Sequence, residues 1–231
     1  MRKLKISYFF DIIHPQSYIG YQLLKKSTSI LSNNFDVNVE FFPISSKSFF
    51  QSKNIVNYEN IPQNQRNLLN HEMENICKHY SLDCGNNLSI DRTFSNSFTS
   101  IFYLLMNKRE YPLYYVKLIE AFFEKTWKNR IQIKNGYQFF KISLEVGMPF
   151  AKVDDLVSRT ENEINKKEYK SYYQELIQMD NNHLPITNFQ FLDDPEKKMT
   201  IDSVMKFVIL YDKIEKDSCS LEKVIEEYCK Y

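Results

Sequence analysis

Apolar residues fall at every second position at the start of the chain, at Leu4, Ile6, Tyr8 and Phe10, and Phe9 with Ile12-Ile13 then make the run continuous. Period two running into an unbroken apolar stretch predicts a strand buried on at least one face, inside a sheet. Pro15 suits the first turn of a following helix, where its missing N–H costs nothing, and Ile19, Leu23 and Ile30 supply an apolar stripe behind it. A second strand is predicted at Val37-Asn38-Val39-Glu40-Phe41-Phe42, ending at Pro43. With a helix between the strands, a right-handed parallel crossover is the expected geometry.

From Ile44 to about Pro62 the pattern dissolves into Ser, Lys, Asn and Gln, a polar connection of a length usually reserved for function or motion. A helical region follows from Gln63 to Met179. Tyr115, Leu118, Ile119, Phe122 and Trp127 lie at helical spacing, as do Tyr169, Tyr172, Tyr173 and Leu176, and both stripes read as helix-packing surface. Glu145-Val146-Gly147-Met148-Pro149 carries a glycine cap followed by proline and ends one helix. Alternation returns at Leu184-Pro185-Ile186-Thr187-Asn188-Phe189-Gln190-Phe191. A charged turn at 193–198 and a return strand at Met199-Thr200-Ile201 complete a hairpin. Two closing helices are expected, the first with Ile201, Val204, Met205, Val208 and Ile209 as its apolar face. The order strand, helix, strand, helical block, hairpin, helix is a split α/β arrangement.

A chain of 231 residues, 43% hydrophobic and 15% aromatic, can build a substantial core. Its net charge of +1 comes from acids and bases spread evenly, without the basic stripe that marks a nucleic-acid partner. No apolar segment approaches the roughly 18 to 20 residues of a membrane span, and Met1-Arg2-Lys3-Leu4-Lys5 passes into the first strand without a signal-peptide core. The expectation is a cytoplasmic protein, with a short basic targeting segment at the N-terminus as the alternative. Cys77, Cys84, Cys219 and Cys229 match neither a redox pair nor a zinc knuckle and are expected to be reduced thiols. No metal site is indicated, since His71 and His79 sit eight residues apart on one predicted helix.

The turn between the first strand and the first helix is the strongest candidate for chemistry. His14 falls at or near the helix N-cap, where unpaired N–H groups and the positive end of the helix dipole favour an anion such as a thiolate and disfavour imidazolium. His14 is therefore expected to be neutral.

The Phe-x-Asp strand end, x-Pro-x-Ser-Tyr-Ile-Gly entering the helix, Gln51-Ser52-Lys53-Asn54, Glu145-Val146-Gly147-Met148 and Leu184-Pro185-Ile186-Thr187 occur in an order that resembles the DsbA-like superfamily of thioredoxin folds. Within it the chain is similar to the kappa-class glutathione transferases and the 2-hydroxychromene-2-carboxylate isomerases, over nearly its whole length. The resemblance implies a thioredoxin-like α/β fold with an inserted helical domain: residues 1–62 and 181–231 form the thioredoxin-like part and 63–180 the insertion. It implies that the serine facing the glutathione sulfur, or the attacking cysteine of the oxidoreductases, corresponds to His14, and the second redox cysteine to Ser17. Without either thiol the turn cannot exchange a disulfide. Glutathione as co-substrate would bring its own nucleophile, and His14 would donate an N–H to the sulfur or accept its proton. The competing reading is a histidine that merely caps the helix or lies unused in a site that has lost its chemistry.

The same resemblance implies that Asn54 helps hold glutathione and that Leu184-Pro185 is the leucine and cis-proline pair whose backbone meets the cysteinyl residue. Ile201-Asp202 replaces a Ser-Asp pair at the γ-glutamyl end, with the acid kept; Asp202 is equally suited to capping the helix. His183 is placed where it would either face His14 or lie at the surface. The implied activity is a glutathione-dependent transferase or isomerase acting on a small hydrophobic electrophile, as a homodimer. The alternative is a catalytically inactive thioredoxin-fold protein that binds a peptide or protein as an adaptor.

Overall fold

The structure is a computed structural model, and it describes residues 1–56, 60–85, 88, 97–133 and 135–228. Strand β1 (Arg2–Phe10) leads into helix α1 (Pro15–Leu31) and then into β2 (Phe35–Pro43), which pairs parallel to β1 from Arg2↔Phe35 to Phe10↔Pro43. The chain returns to the sheet at β3 (Ile186–Phe191), antiparallel to β1 with Phe9 opposite Ile186, and β4 (Asp194–Ile201) closes a hairpin on β3. The strand order is β2-β1-β3-β4, so β1 is central, and Leu4 to Phe9 are paired on both sides. Leu4, Ile6, Tyr8 and Phe10 point to one face and are fully buried, as the alternation in the sequence requires. Helix α1 and the penultimate helix α9 (Val204–Lys216) pack together, and the last helix α10 (Ser220–Tyr228) lies along α9 and β4.

Between β2 and β3 run α2 (Ser46–Ser52), α3 (Gln63–His79), α4 (Phe98–Glu110), α5 (Pro112–Trp127), α6 (Gly136–Glu145), α7 (Phe150–Ser158) and α8 (Glu163–Gln178). The aromatic stripes are packing surface. Tyr115, Leu118, Ile119, Phe122 and Trp127 of α5 are buried in the main core, while Tyr169 and Leu176 of α8 are buried against α4 and α2 respectively. Helix α6 stops at Gly147, whose φ of +90° glycine adopts without cost. There the amides of Gly147 and Met148 return to Leu144 O and Ser143 O at 2.9 and 3.0 Å.

The polar connection is not structureless, because α2 forms within it. Ser45 caps this helix by accepting from Ser48 N, and its apolar side chains Phe49 and Phe50 are both buried. Two apolar residues in a polar run give no periodic signal, and tertiary burial makes the helix. The hairpin differs from expectation too. β4 begins at Asp194 rather than at Met199, because an edge strand tolerates the charged run Glu196-Lys197-Lys198. Ile201 belongs to that strand. The buried face of α9 is Val204, Phe207, Leu210, Tyr211 and Ile214, whereas Met205 and Ile209 are 54% and 60% exposed.

Candidate functional site

The end of β1 is fixed by a buried carboxylate. Asp11 is fully buried; its Oδ2 accepts from Ser46 N and Ser46 Oγ, both at 2.7 Å, and from Ser97 Oγ at 3.1 Å, and its Oδ1 accepts from Ile13 N at 3.2 Å. Burial pushes the Asp11 carboxyl above its ordinary value, and the bonds from Ser46, Ile13 and Ser97 pull against that rise. One side chain thus ties the turn after β1 to the starts of α2 and α4. Its own amide donates to Ser17 Oγ at 3.2 Å, and the His14 amide donates to Asp11 O at 3.1 Å. Trp127 Nε1 donates to Ile12 O at 2.8 Å from the far end of α5.

The first turns of α1 are held as tightly. Tyr8 donates its hydroxyl to Ser17 O at 2.6 Å. At Gly20 an added Cβ would lie 2.7 Å from both the Tyr8 hydroxyl oxygen and Pro185 Cγ, so only glycine lets the helix approach the sheet and the proline loop this closely.

His14 occupies the N-cap position of α1 in extended conformation, φ −100° and ψ 118°, but its side chain makes no capping hydrogen bond. The ring instead packs on Phe50 of α2 at 5.8 Å between centroids, and only 6% of the residue remains exposed. Nδ1 is buried with no hydrogen-bond partner. Burial lowers the imidazole to about 4, so it is neutral at physiological pH. The neutral state expected from the helix dipole is therefore present, and burial is its cause. A capping role for the side chain is ruled out by the geometry.

The residues expected beside His14 divide into two groups. Leu184 and Pro185 reach the site: Leu184 is fully buried in an apolar cluster with Phe9, Phe49, Phe50 and Ile186, and Pro185 touches the space above Gly20. Their peptide bond is cis, and the ladder between β1 and β3 begins only at Ile186, which leaves the Leu184 backbone outside it. Phe50 links the two halves, touching His14 and sharing the cluster with Leu184.

Asn54 and Asp202 have other local duties. Asn54 is exposed with φ +55°, the left-handed residue just past the end of α2. Ile55 N returns to Phe50 O at 2.8 Å and Asn54 N to Gln51 O at 3.2 Å, a helix-ending reversal that favours Gly or Asn at this position. Asp202 does not cap α9; that role falls to Ser203, which accepts from Lys206 N. Asp202 is 7% exposed; its carboxylate accepts from Lys206 Nζ at 2.6 Å and from Asn182 N at 3.5 Å. Burial alone would raise this carboxyl, but Lys206, the Asn182 amide and His183 together hold it below its ordinary value. His183 is exposed, on the Asp202 side of the loop.

The cysteine expectation is corrected at two positions. Cys77 and Cys84 form a disulfide across a Cα–Cα distance of 6.2 Å. Helix α3 ends in the same kind of reversal as α2, with Ser81 at φ +50° and Leu82 N donating to Cys77 O at 2.8 Å, and this folds Cys84 back over Cys77. Spacing alone does not reveal a reversal built on a serine. Cys219 is a free, exposed thiol, and Cys229 lies outside the described residues. Among the described residues no group of three or more His, Cys, Asp or Glu side chains could hold a metal ion, and no helix is long and apolar enough to cross a membrane.

Sequence reasoning missed the hub role of Asp11 and the wall supplied by Phe50. Asp11 carried a signal, an acid closing an apolar strand. Phe50 carried none, since it lies in the stretch without periodicity.

No protein-family model and no curated protein matches the chain. Its fold does match solved structures. A 2-hydroxychromene-2-carboxylate isomerase superposes with a TM-score of 0.67 at 14% identity, covering 96% of this chain and 98% of that one. A probable DsbA oxidoreductase from Streptomyces coelicolor gives 0.67 at 11% identity, covering 92% and 89%. The cytosolic disulfide reductase DsbM from Pseudomonas aeruginosa, solved with GSH, gives 0.57 at 10% identity, covering 98% and 100%. With the strand order, the turn into α1 and the cis-proline loop facing it, these matches show that the chain has the DsbA-like thioredoxin fold.

Proposed function

We propose that the chain is a glutathione-dependent transferase or isomerase acting on a small hydrophobic electrophile, with His14 as the residue that handles the thiol. The observation that carries this reading is the unpartnered, buried Nδ1 of a neutral imidazole at the start of α1. A buried polar atom without a partner is costly unless a ligand or water satisfies it. Bound glutathione would supply the sulfur nucleophile that the turn lacks, since His14 and Ser17 stand where thiols would be. Neutral His14 either takes the thiol proton on a ring nitrogen or donates its N–H to the sulfur. The Leu184 backbone, outside the strand ladder, is free to pair with a peptide-like ligand. Asp202 stays ionised and suits a ligand ammonium, which would share the carboxylate with Lys206. Asn54, exposed past the end of α2, would add an amide contact to the ligand. The structure of a similar fold with GSH supports the choice of thiol.

Calorimetric titration with glutathione tests the proposal, comparing the native protein with His14→Ala. Loss of a hydrogen bond to the thiolate should weaken binding roughly tenfold or more, the ~1.5–3 kcal/mol of a bond to a charged group, and return the bound thiol's pKa towards its free value. No heat at millimolar glutathione would sink the enzyme reading and favour the adaptor alternative. Unchanged affinity with an unchanged thiol pKa would remove His14 from the mechanism.

A further inference from the structure

The Cys77–Cys84 disulfide lies away from α1's N-terminus, at the end of α3. A pocket of about 300 Å³ opens there, lined by Glu74, Cys77, Lys78, Leu82, Gly85 and Leu88. The disulfide forms part of its wall, and its two sulfurs are not equivalent. Cys77 lines the pocket and is 8% exposed, while Cys84 is 2% exposed and does not line it. We propose that Cys77–Cys84 is an exchangeable disulfide, attacked at Cys77 by a low-molecular-weight thiol that enters this pocket.

The surroundings favour reversible exchange over a permanent staple. The turn that carries Cys84 is held by contacts that do not involve sulfur. Asp83 O accepts from the Tyr18 hydroxyl at 2.7 Å and from Gln22 Nε2 at 2.8 Å, and the Asp83 carboxylate pairs with Lys128 at 2.6 Å. Gly85 fits, at φ +72°, against the backbone of Trp127, 3.0 Å from where a Cβ would sit. Reduction therefore leaves the two thiols facing each other across a loop of only seven residues' separation, and re-closure costs little chain entropy. Lys78 and Glu74 give the pocket both charges, which suits a zwitterionic thiol peptide such as glutathione. The volume is at the lower end of the range for small-ligand sites.

The chemistry balances as a two-electron exchange. The incoming thiolate forms a bond to Cys77 Sγ, the Cys77–Cys84 bond breaks, and Cys84 leaves as a thiolate that takes a proton from water. A second small thiol then attacks the outer sulfur of the mixed disulfide, releasing Cys77 as a thiol and a small-molecule disulfide. The protein disulfide is reduced, and two small thiols are oxidised to one disulfide. The reverse sequence re-forms the protein disulfide from a small-molecule disulfide.

The test is thiol mapping of the full chain under native conditions. The protein is equilibrated with reduced glutathione, trapped with an alkylating reagent and mapped by peptide mass. Cys77 and Cys84 should become alkylated together without loss of Trp127 fluorescence, while Cys219 is alkylated with or without glutathione. Oxidised glutathione should restore the bond. In Cys84→Ser, Cys77 should form a mixed disulfide with oxidised glutathione; in Cys77→Ser, Cys84 should stay unmodified. A disulfide that opens only when denaturant is added would overturn the proposal, as would equal modification of the two variants. If either variant fails to fold, the native measurement decides alone. The readout is independent of any turnover at His14, so its failure and that of the proposed enzyme are separable.

Discussion

His14 links the chemistry of the site to the stability of the molecule. Folded, it titrates at about 4; unfolded, it would titrate near 6.5. Above about pH 6.5 both states hold a neutral ring and the residue is indifferent to pH. Between roughly pH 6.5 and 4 the unfolded chain binds a proton that the folded chain refuses, so this residue lowers stability as the pH falls. Asp11 acts in the opposite sense, because its carboxyl is raised in the folded state and binds a proton there more readily than in the unfolded chain. A comparison with His14→Gln removes that shared contribution. Urea unfolding at about pH 7 and about pH 4.5 should show the native protein losing about 2 kcal/mol more than the variant between the two conditions. Parallel losses would mean that the ring is not desolvated as described. The same desolvation keeps the ring neutral well below pH 6.5, so this measurement also bears on the proposed role.

At the level of elements, the informative case is α9, where two faces of one helix both look apolar. Phe207, Leu210, Tyr211 and Ile214 are buried against α1 and the sheet, while Met205 and Ile209 are exposed. Phe207→Ala should cost about 3–5 kcal/mol in denaturant unfolding, and Met205→Ala should stay within about 0.5 kcal/mol. Comparable losses for both would contradict this orientation. β1, β2, β3 and α1 were legible because β1 alternates cleanly and Pro15 marks where the helix starts, whereas the charged first half of β4 read as a turn. The stop at Gly147 was legible for the same kind of reason, since only glycine makes that backbone easy. Helix α2 was not, because two phenylalanines make it and their partners come from α8 and β3, far away in sequence. The ends of α2 and α3 were hidden likewise, since Asn54 and Ser81 take a left-handed conformation that the sequence signals weakly in Asn and not at all in Ser. Of the candidate site, the position of His14 and its proline loop was readable. The competing duties of Asn54 and Asp202 were not, since they depend on a cap and an ion pair set by the fold.

Across the whole molecule, the helical stretch and the sheet share one core. Leu4, Ile6 and Phe10 of the sheet lie in the same buried cluster as Leu118, Phe122 and Phe139 of the helices. Phe123 of α5 packs against Phe10, Tyr18 and Tyr21 at 5.4, 5.5 and 5.2 Å between centroids. Polar ties cross the same boundary: Tyr115 donates to Phe41 O at 2.9 Å, Trp127 to Ile12 O at 2.8 Å, and Lys108 lies 4.1 Å above the Phe42 ring. Freeing the helices would expose Phe10 and Phe41 and strand the Ile12 carbonyl, so neither part keeps its buried surface without the other. Unfolding is therefore expected to be a single cooperative transition. The chain offers a clean pair of probes, because its one tryptophan, Trp127, sits in the helical stretch, while amide exchange in β3 and β4 reports the sheet's far edge. Trp127 fluorescence and exchange of the slowest β3 amides should give the same unfolding free energy within about 1 kcal/mol. A fluorescence transition at clearly lower denaturant, with β3 still protected, would show that the helices come away first and that the contacts around Phe123 are too weak to couple them to the sheet. In that event the Trp127 bond to Ile12 O and the Asp11 bonds to Ser46 and Ser97 would open before the fold is lost, leaving the His14 turn to its contacts with Tyr8 and Ser17.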